Sequence, residues 1–168
     1  MESVVSIATS DSVDVTELAS VAARTFPLAC PPSVSPANIA AFIDANLSEQ
    51  RFTGYLTDSR RRILTARCDD RIVAYAMLIR DGDDDRVELS KMYVLPDNHG
   101  SGVSTALMDA SLAAAADWGA ACVWLGVNQK NERAQRFYTK SGFAITGTRT
   151  FQLGAHTEHD YVMTRATR

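Results

Sequence analysis

The spacing of apolar residues changes rhythm twice along this chain. A short apolar stretch at residues 3–8 has the length of a strand. From residue 11 the apolar positions of "DSVDVTELASVAARTF" recur every three or four residues, which predicts an amphipathic helix capped by Asp11 or Ser12. The prolines of "PLACPPSVSP" predict a loop. "PANIAAFIDANL" predicts a second helix with Pro36 in its first turn, and "SEQRFTGYLTD" a third, shorter one. The rhythm then shortens. "RRILTAR" and "RIVAYAMLIR" are apolar, β-branched blocks of strand length joined by the tight turn "CDD". "DGDDD" is a further turn and "RVELSKMYVL" a third strand, giving an antiparallel meander. Alanine and leucine then dominate a helix from Gly102 to about residue 116. "ACVWLGV" reads as a strand, "NERAQRFYTK" as a helix closed by Gly142, and "FAITGTRTFQL" and "EHDYVMTR" as the last two strands. The resulting fold class is α+β, a mixed, mostly antiparallel sheet of six to seven strands flanked by helices.

Composition narrows this picture without altering it. With 168 residues, 46% of them apolar and 22% charged, the chain is expected to be one domain over residues 1–168 with a substantial core. Its 17 basic and 20 acidic side chains leave a net charge of −3. That balance argues against nucleic-acid or anionic-membrane partners and suits a cationic substrate. No apolar run approaches the roughly 18 residues of a membrane span, and "MESVVSIATSDSVDV" lacks the basic flank and apolar stretch of a signal peptide. Cys30, Cys68 and Cys122 are widely spaced and form no CxxC pair, so they are read as reduced thiols in a cytoplasmic protein.

The chemistry begins at "YVLPDNHGSGVSTALM". Pro96 ends a strand because it cannot donate a ladder hydrogen bond. Gly100 and Gly102 carry no Cβ, so the chain can turn sharply and a ligand can lie against bare backbone. A helix starting there aims unpaired N–H groups and the positive end of its dipole into the loop, which is an anion site suited to phosphate. By itself a strand–glycine–helix junction is more often ordinary chain geometry.

A second block, "NERAQRFYTKSGF", follows one helix and one strand later. Val94, Pro96 and "HGSGVS", then Asn131, Ala134, Phe137, Tyr138, Gly142 and Phe143, resemble the two signatures of the GNAT superfamily of acyl-CoA-dependent N-acetyltransferases, in that family's order and spacing. The resemblance covers residues 62–164 and implies the acyl-CoA N-acyltransferase fold, acetyl-CoA as co-substrate and an amine acceptor; no metal is expected, because the sequence offers no metal-ligating spacing of fixed geometry. Homodimers are common in this fold. Two positions depart from the family pattern: His99 stands where Arg or Gln is usual, and Ser104 where Gly or Ala is usual. Within the superfamily, "WLGVNQKNERAQRFYTKSGF" and a tail containing Thr150, Phe151, Leu153, Gly154, Asp160 and Met163 look most like a bacterial branch that includes polyamine (spermidine/spermine-type) N-acetyltransferases.

Carried over residue by residue, the resemblance implies that His99, Gly100, Ser101, Gly102, Val103, Ser104 and Thr105 hold the diphosphate of the co-substrate, largely through main-chain N–H groups. Met92, Tyr93 and Val94 would face the acetyl and pantetheine portions where their strand splays from its neighbour. Asn131 either caps its helix or binds the pantetheine arm, and both roles are compatible. Tyr138 would be the proton donor to the departing sulfur, against the alternative of an amphipathic core tyrosine. Glu88 would be the base that accepts the amine proton, against a solvated glutamate paired with Lys91 or Arg80. On a regular strand it shares a face with Ser90 and Met92, which a bulge would change. In relatives with a base on the following strand that position matches Gly126, which excludes the variant here.

Three charged features stay outside this scheme. "DGDDD" at 81–85 is a solvated turn or an attractor for a polyamine. The H-x-x-H of "HTEHD" lacks a metal-binding context, and "RRR" at 60–62 reads as a solvated strand edge. Acceptor alternatives are a protein or peptide amine or an aminoglycoside. A CoA-binding regulatory module without catalysis is the non-enzymatic reading.

Overall fold

The β-branched blocks and the turns between them build a single sheet. The computed structural model describes residues 3–82 and 85–167, so residues 83 and 84 of the acidic turn lie outside it. The strands are β1 (Val4–Ala8), β2 (Arg61–Cys68), β3 (Arg71–Ile79), β4 (Arg86–Val94), β5 (Cys122–Asn128), β6 (Ala144–Leu153) and β7 (His156–Ala166). The helices are α1 (Val15–Ala29), α2 (Pro36–Asn46), α3 (Glu49–Thr57), α4 (Val103–Asp117) and α5 (Glu132–Lys140). The sheet runs β1-β2-β3-β4-β5-β7-β6, antiparallel except for the parallel β4–β5 pair. The expected meander is β2–β3–β4, and its first turn has Asp69 and Asp70 at φ 51° and 62°, the left-handed pair a two-residue hairpin turn requires.

β3 is buried on both faces, so each face needs cover. On one, Phe52 of α3 meets Tyr75 edge-on and Phe26 of α1 meets Tyr93, while Phe42 of α2 leans on Phe151 of β6. On the other, α4 packs across β1 to β5 and buries Leu107, Met108 and Leu112.

Three local expectations change. The cap of α1 is Asp14, whose carboxylate accepts from Glu17 N–H at 3.2 Å, because Val13 is buried and the helix starts beyond it. The proline-rich loop starts later than predicted, since α1 continues through Pro27 to Ala29. A proline two residues before the last helical position removes a single internal bond, and Cys30 N–H closes the turn on the Pro27 carbonyl at 3.3 Å. The edge of β2 at Arg61 and Arg62 is open, since the β1–β2 ladder ends at Ile63, but both side chains are half-buried and not fully solvated. Arg61 lies over Tyr55 and pairs with Asp58, and Arg62 lies over Trp118.

Candidate active site

Strands β4 and β5 pair over only three residues, Arg86 to Glu88 against Cys122 to Trp124, and then part. Leu95 N–H bonds to the Val73 carbonyl at 2.8 Å. Antiparallel alternation therefore turns Tyr93 towards β3 as well and leaves the N–H groups of Met92 and Val94 facing the gap. The glycine loop closes the far end of this gap. Gly100 and Gly102 adopt φ 78° and 86°, a region costly for any residue with a Cβ, although a Cβ at either would meet open space. The requirement is thus for backbone shape. The first internal bond of α4 runs from Ala106 N–H to the Gly102 carbonyl, so the N–H groups of residues 102–105 precede the ladder. A groove of about 560 Å³ runs past them, with Val94, Gly102, Ser104, Thr105 and Phe137 among its walls.

Helix α5 forms the opposite bank. Asn131 caps it, its Oδ1 accepting from Ala134 N–H at 3.1 Å. Gly142, at φ 94°, ends it, and Phe143 N–H returns to the Tyr138 carbonyl at 3.0 Å. This clamp fixes the turn that carries Tyr138, whose ring lies between Phe137 and Phe143. Among the described residues its hydroxyl has no hydrogen-bond partner, and burial pushes the phenol up to about 12. It therefore remains a donor throughout the neutral range.

Tyr138 also faces a second cavity of about 330 Å³, on the sheet face covered by α1 and α2. The two cavities share Ala29, Met92, Tyr93, Asn131, Ala134 and Tyr138. Here the sheet departs from regularity. Met77 pairs with Lys91 and Leu78 with Leu89, so Ser90 is an extra residue on β4. The bulge places Glu88 on one face with Lys91 and Tyr93, not with Ser90 and Met92.

Arg149 of β6 crosses this face because Gly126 leaves it room; a Cβ at Gly126 would strike the guanidinium. The guanidinium stands 3.7 Å from Glu88, 3.3 Å from Asp160, and over the ring of Trp124. Burial raises the carboxyls of Glu88 and Asp160, and Arg149 pulls each partly back. Lys91 is brought down to about 8 by burial, with the Arg61 guanidinium adding to the effect. Glu158 is buried, and one oxygen accepts from Asn128 Nδ2 at 3.2 Å. His156 Nε2 stands 3.2 Å from the other oxygen without hydrogen-bond geometry. Cys30 lines the same cavity, where burial and the Glu158 charge raise its thiol to about 11 and make it a poor nucleophile.

Most of the residues singled out from the sequence converge. Met92, Tyr93, Val94, His99, Gly100, Gly102, Ser104, Thr105, Asn131 and Tyr138 line the groove, and Glu88 lies in the adjoining cavity. Ser101 and Val103 do not line it: the Ser101 hydroxyl is turned to the Asn98 carbonyl, and the Val103 side chain is buried. His156 and His159, three apart on a strand, point to opposite faces. Arg149 and Glu158 were not anticipated, and Lys91 was foreseen only as an ion-pair partner of Glu88, a place that Arg149 takes. The one available signal was the tail pattern around Phe151 and Asp160, which line the cavity beside them.

The comparisons agree with this geometry. The sequence model of the Acetyltransferase (GNAT) family matches residues 22–143. Uncharacterized N-acetyltransferases of Mycobacterium tuberculosis (strain ATCC 25618 / H37Rv) and Mycobacterium bovis are each 71% identical to this chain over 152 residues, 90% of this chain and 97% of theirs. The crystal structure of PaiA N-acetyltransferase from Thermoplasma acidophilum in complex with coenzyme A superposes with a TM-score of 0.84 over 99% of both chains; at 18% identity that likeness concerns the fold. On the family match and the relatives together, the chain belongs to the acetyltransferase (GNAT) family and is an acetyl-CoA-dependent N-acetyltransferase.

Proposed function

We propose that the chain transfers the acetyl group of acetyl-CoA to the primary amine of a small cationic acceptor, of the polyamine kind, by direct attack of the amine on the thioester. The observation that carries this reading is the junction of the two cavities at Tyr138, with bare N–H groups on one side and carboxylates on the other. A cavity of about 330 Å³ suits a small molecule. Its walls hold Glu88, Glu158 and Asp160 against Lys91 and Arg149, with Phe42 and Phe151 nearby. Phe151 is the cross-strand partner of Glu158, and a carboxylate beside aromatic faces suits an ammonium group on an alkyl stem.

In this reading each task falls to a named group. Glu88 accepts the amine proton, directly or through water. The N–H groups of Met92 and Val94 meet the carbonyl oxygen as it gains charge. Tyr138 donates to the sulfur as it departs. Glu88 is held above the ordinary carboxylate range yet must be ionised to act, so the rate falls as pH drops through its raised pKa. Glu88→Gln should lower kcat/KM by roughly ten- to a hundredfold and abolish that acidic limb. A variant that keeps the limb would assign the base elsewhere.

A thiol-release assay with acetyl-CoA and an amine panel tests the acceptor class. The expected order is spermidine and 1,5-diaminopentane above n-pentylamine by about tenfold or more, the discrimination a charge-assisted contact provides. Turnover with peptides or aminoglycosides alone would overturn the reading. Coenzyme A binding with no turnover on any amine would support a regulatory module.

A further inference from the structure

His99 occupies the loop position where this family commonly has Arg or Gln, yet it has nothing left to offer an anion. Its backbone N–H bonds to the Pro96 carbonyl at 3.1 Å. Its Nε2 lies 2.9 Å from the Val94 carbonyl, which can only accept, so the proton sits on Nε2. Nδ1 is then an acceptor, and it takes a hydrogen bond from Arg133 Nη2 at 2.7 Å. The ring thus ties the end of β4 to a guanidinium on the first turn of α5, 34 residues away in sequence.

That guanidinium has no carboxylate within ion-pair distance among the described residues. It lines the donor groove together with Gly100, Gly102, Ser104 and Thr105. One bank therefore carries a fixed cation and the other the positive end of α4. Like charges face each other across the groove, and a bound anion relieves both. A single bond to His99 leaves most of the guanidinium donors free for a bidentate grip.

We infer that Arg133, positioned by His99, is the side chain that pairs with the diphosphate linkage of acetyl-CoA, in place of the loop arginine or glutamine usual in the family. The inference rests on the donor and is independent of the acceptor class. His99 is a positioning residue, because it acts through Arg133.

Calorimetry on the full chain with coenzyme A and with 3′-dephospho-coenzyme A tests it. Arg133→Met should raise Kd about ten- to a hundredfold for both ligands, the loss expected for a charge-assisted pair. The loss should shrink as salt is raised. His99→Ala should weaken both ligands by a smaller factor and add nothing in the Arg133→Met background, since its effect passes through the same side chain. A Kd for Arg133→Met within twofold of the parent would overturn the inference. So would a loss seen with coenzyme A alone, which would move the contact to the 3′-phosphate. Fully additive losses would overturn the positioning role of His99. Failure of the parent chain to bind either ligand would remove the donor itself, a result distinct from any behaviour of the variants.

Discussion

Tyr138→Phe is expected to lower kcat by about a hundredfold while the affinity for acetyl-CoA stays within about twofold, as for loss of an acid that acts only as the sulfur departs. A hundredfold corresponds to about 2.7 kcal/mol of transition-state stabilisation. The substitution separates chemistry from packing cleanly. The aromatic contacts with Phe137 and Phe143 survive in phenylalanine, and the hydroxyl has no partner among the described residues whose loss would weaken the fold. Thermal stability should therefore change little. Since the phenol is raised to about 12, the deficit should be the same at pH 7 and pH 9, where the hydroxyl remains protonated. Steady-state rates at those two pH values, with calorimetry for the donor, provide the check. A kcat within threefold of the parent would leave Tyr138 as a wall of the groove and no more.

What was legible in the sequence was whatever is written locally. The hairpin at Asp69–Asp70, the glycines at 100 and 102 and the closure at Gly142 each encode a backbone shape within a few residues, and each is found as expected. The features that were not legible depend on partners distant along the chain. The extra residue at Ser90 exists only relative to β3, yet it moves Glu88 from the face of Met92 to that of Lys91. Arg133 meets His99 only because α5 returns beside the glycine loop. Glu158 and Asp160 lay within a segment read for metal spacing, and their place in the cavity follows from the pairing of β7 with β5 and β6. The absence of a base at Gly126 was readable; what fills the space was not.

That space sets up the second large effect. Arg149→Met is expected to destabilise the fold by about 2–3 kcal/mol at neutral pH, at the low end for a broken buried pair because the guanidinium is itself one-third exposed. The cost comes from what remains. Glu88 and Asp160, with side chains only 16% and 8% exposed, would face each other without their shared cation. Both carboxyls are already raised by burial with Arg149 opposing, so removing it raises them further. A carboxyl whose pKa is higher in the folded chain binds more protons there than in the unfolded chain. Stability then falls as pH climbs from the unfolded values near 4 through the folded ones. The penalty of Arg149→Met should accordingly be small near pH 4.5 and fully developed by pH 7.5. Adding Asp160→Asn should recover part of it by removing one of the two charges. Gly126→Ala should reproduce part of the loss, since its methyl would displace the same guanidinium. Urea midpoints at the two pH values decide the matter. Equal penalties at both would mean that Arg149 supports the fold through its packing over Trp124 and not by holding two carboxylates ionised beside the second cavity.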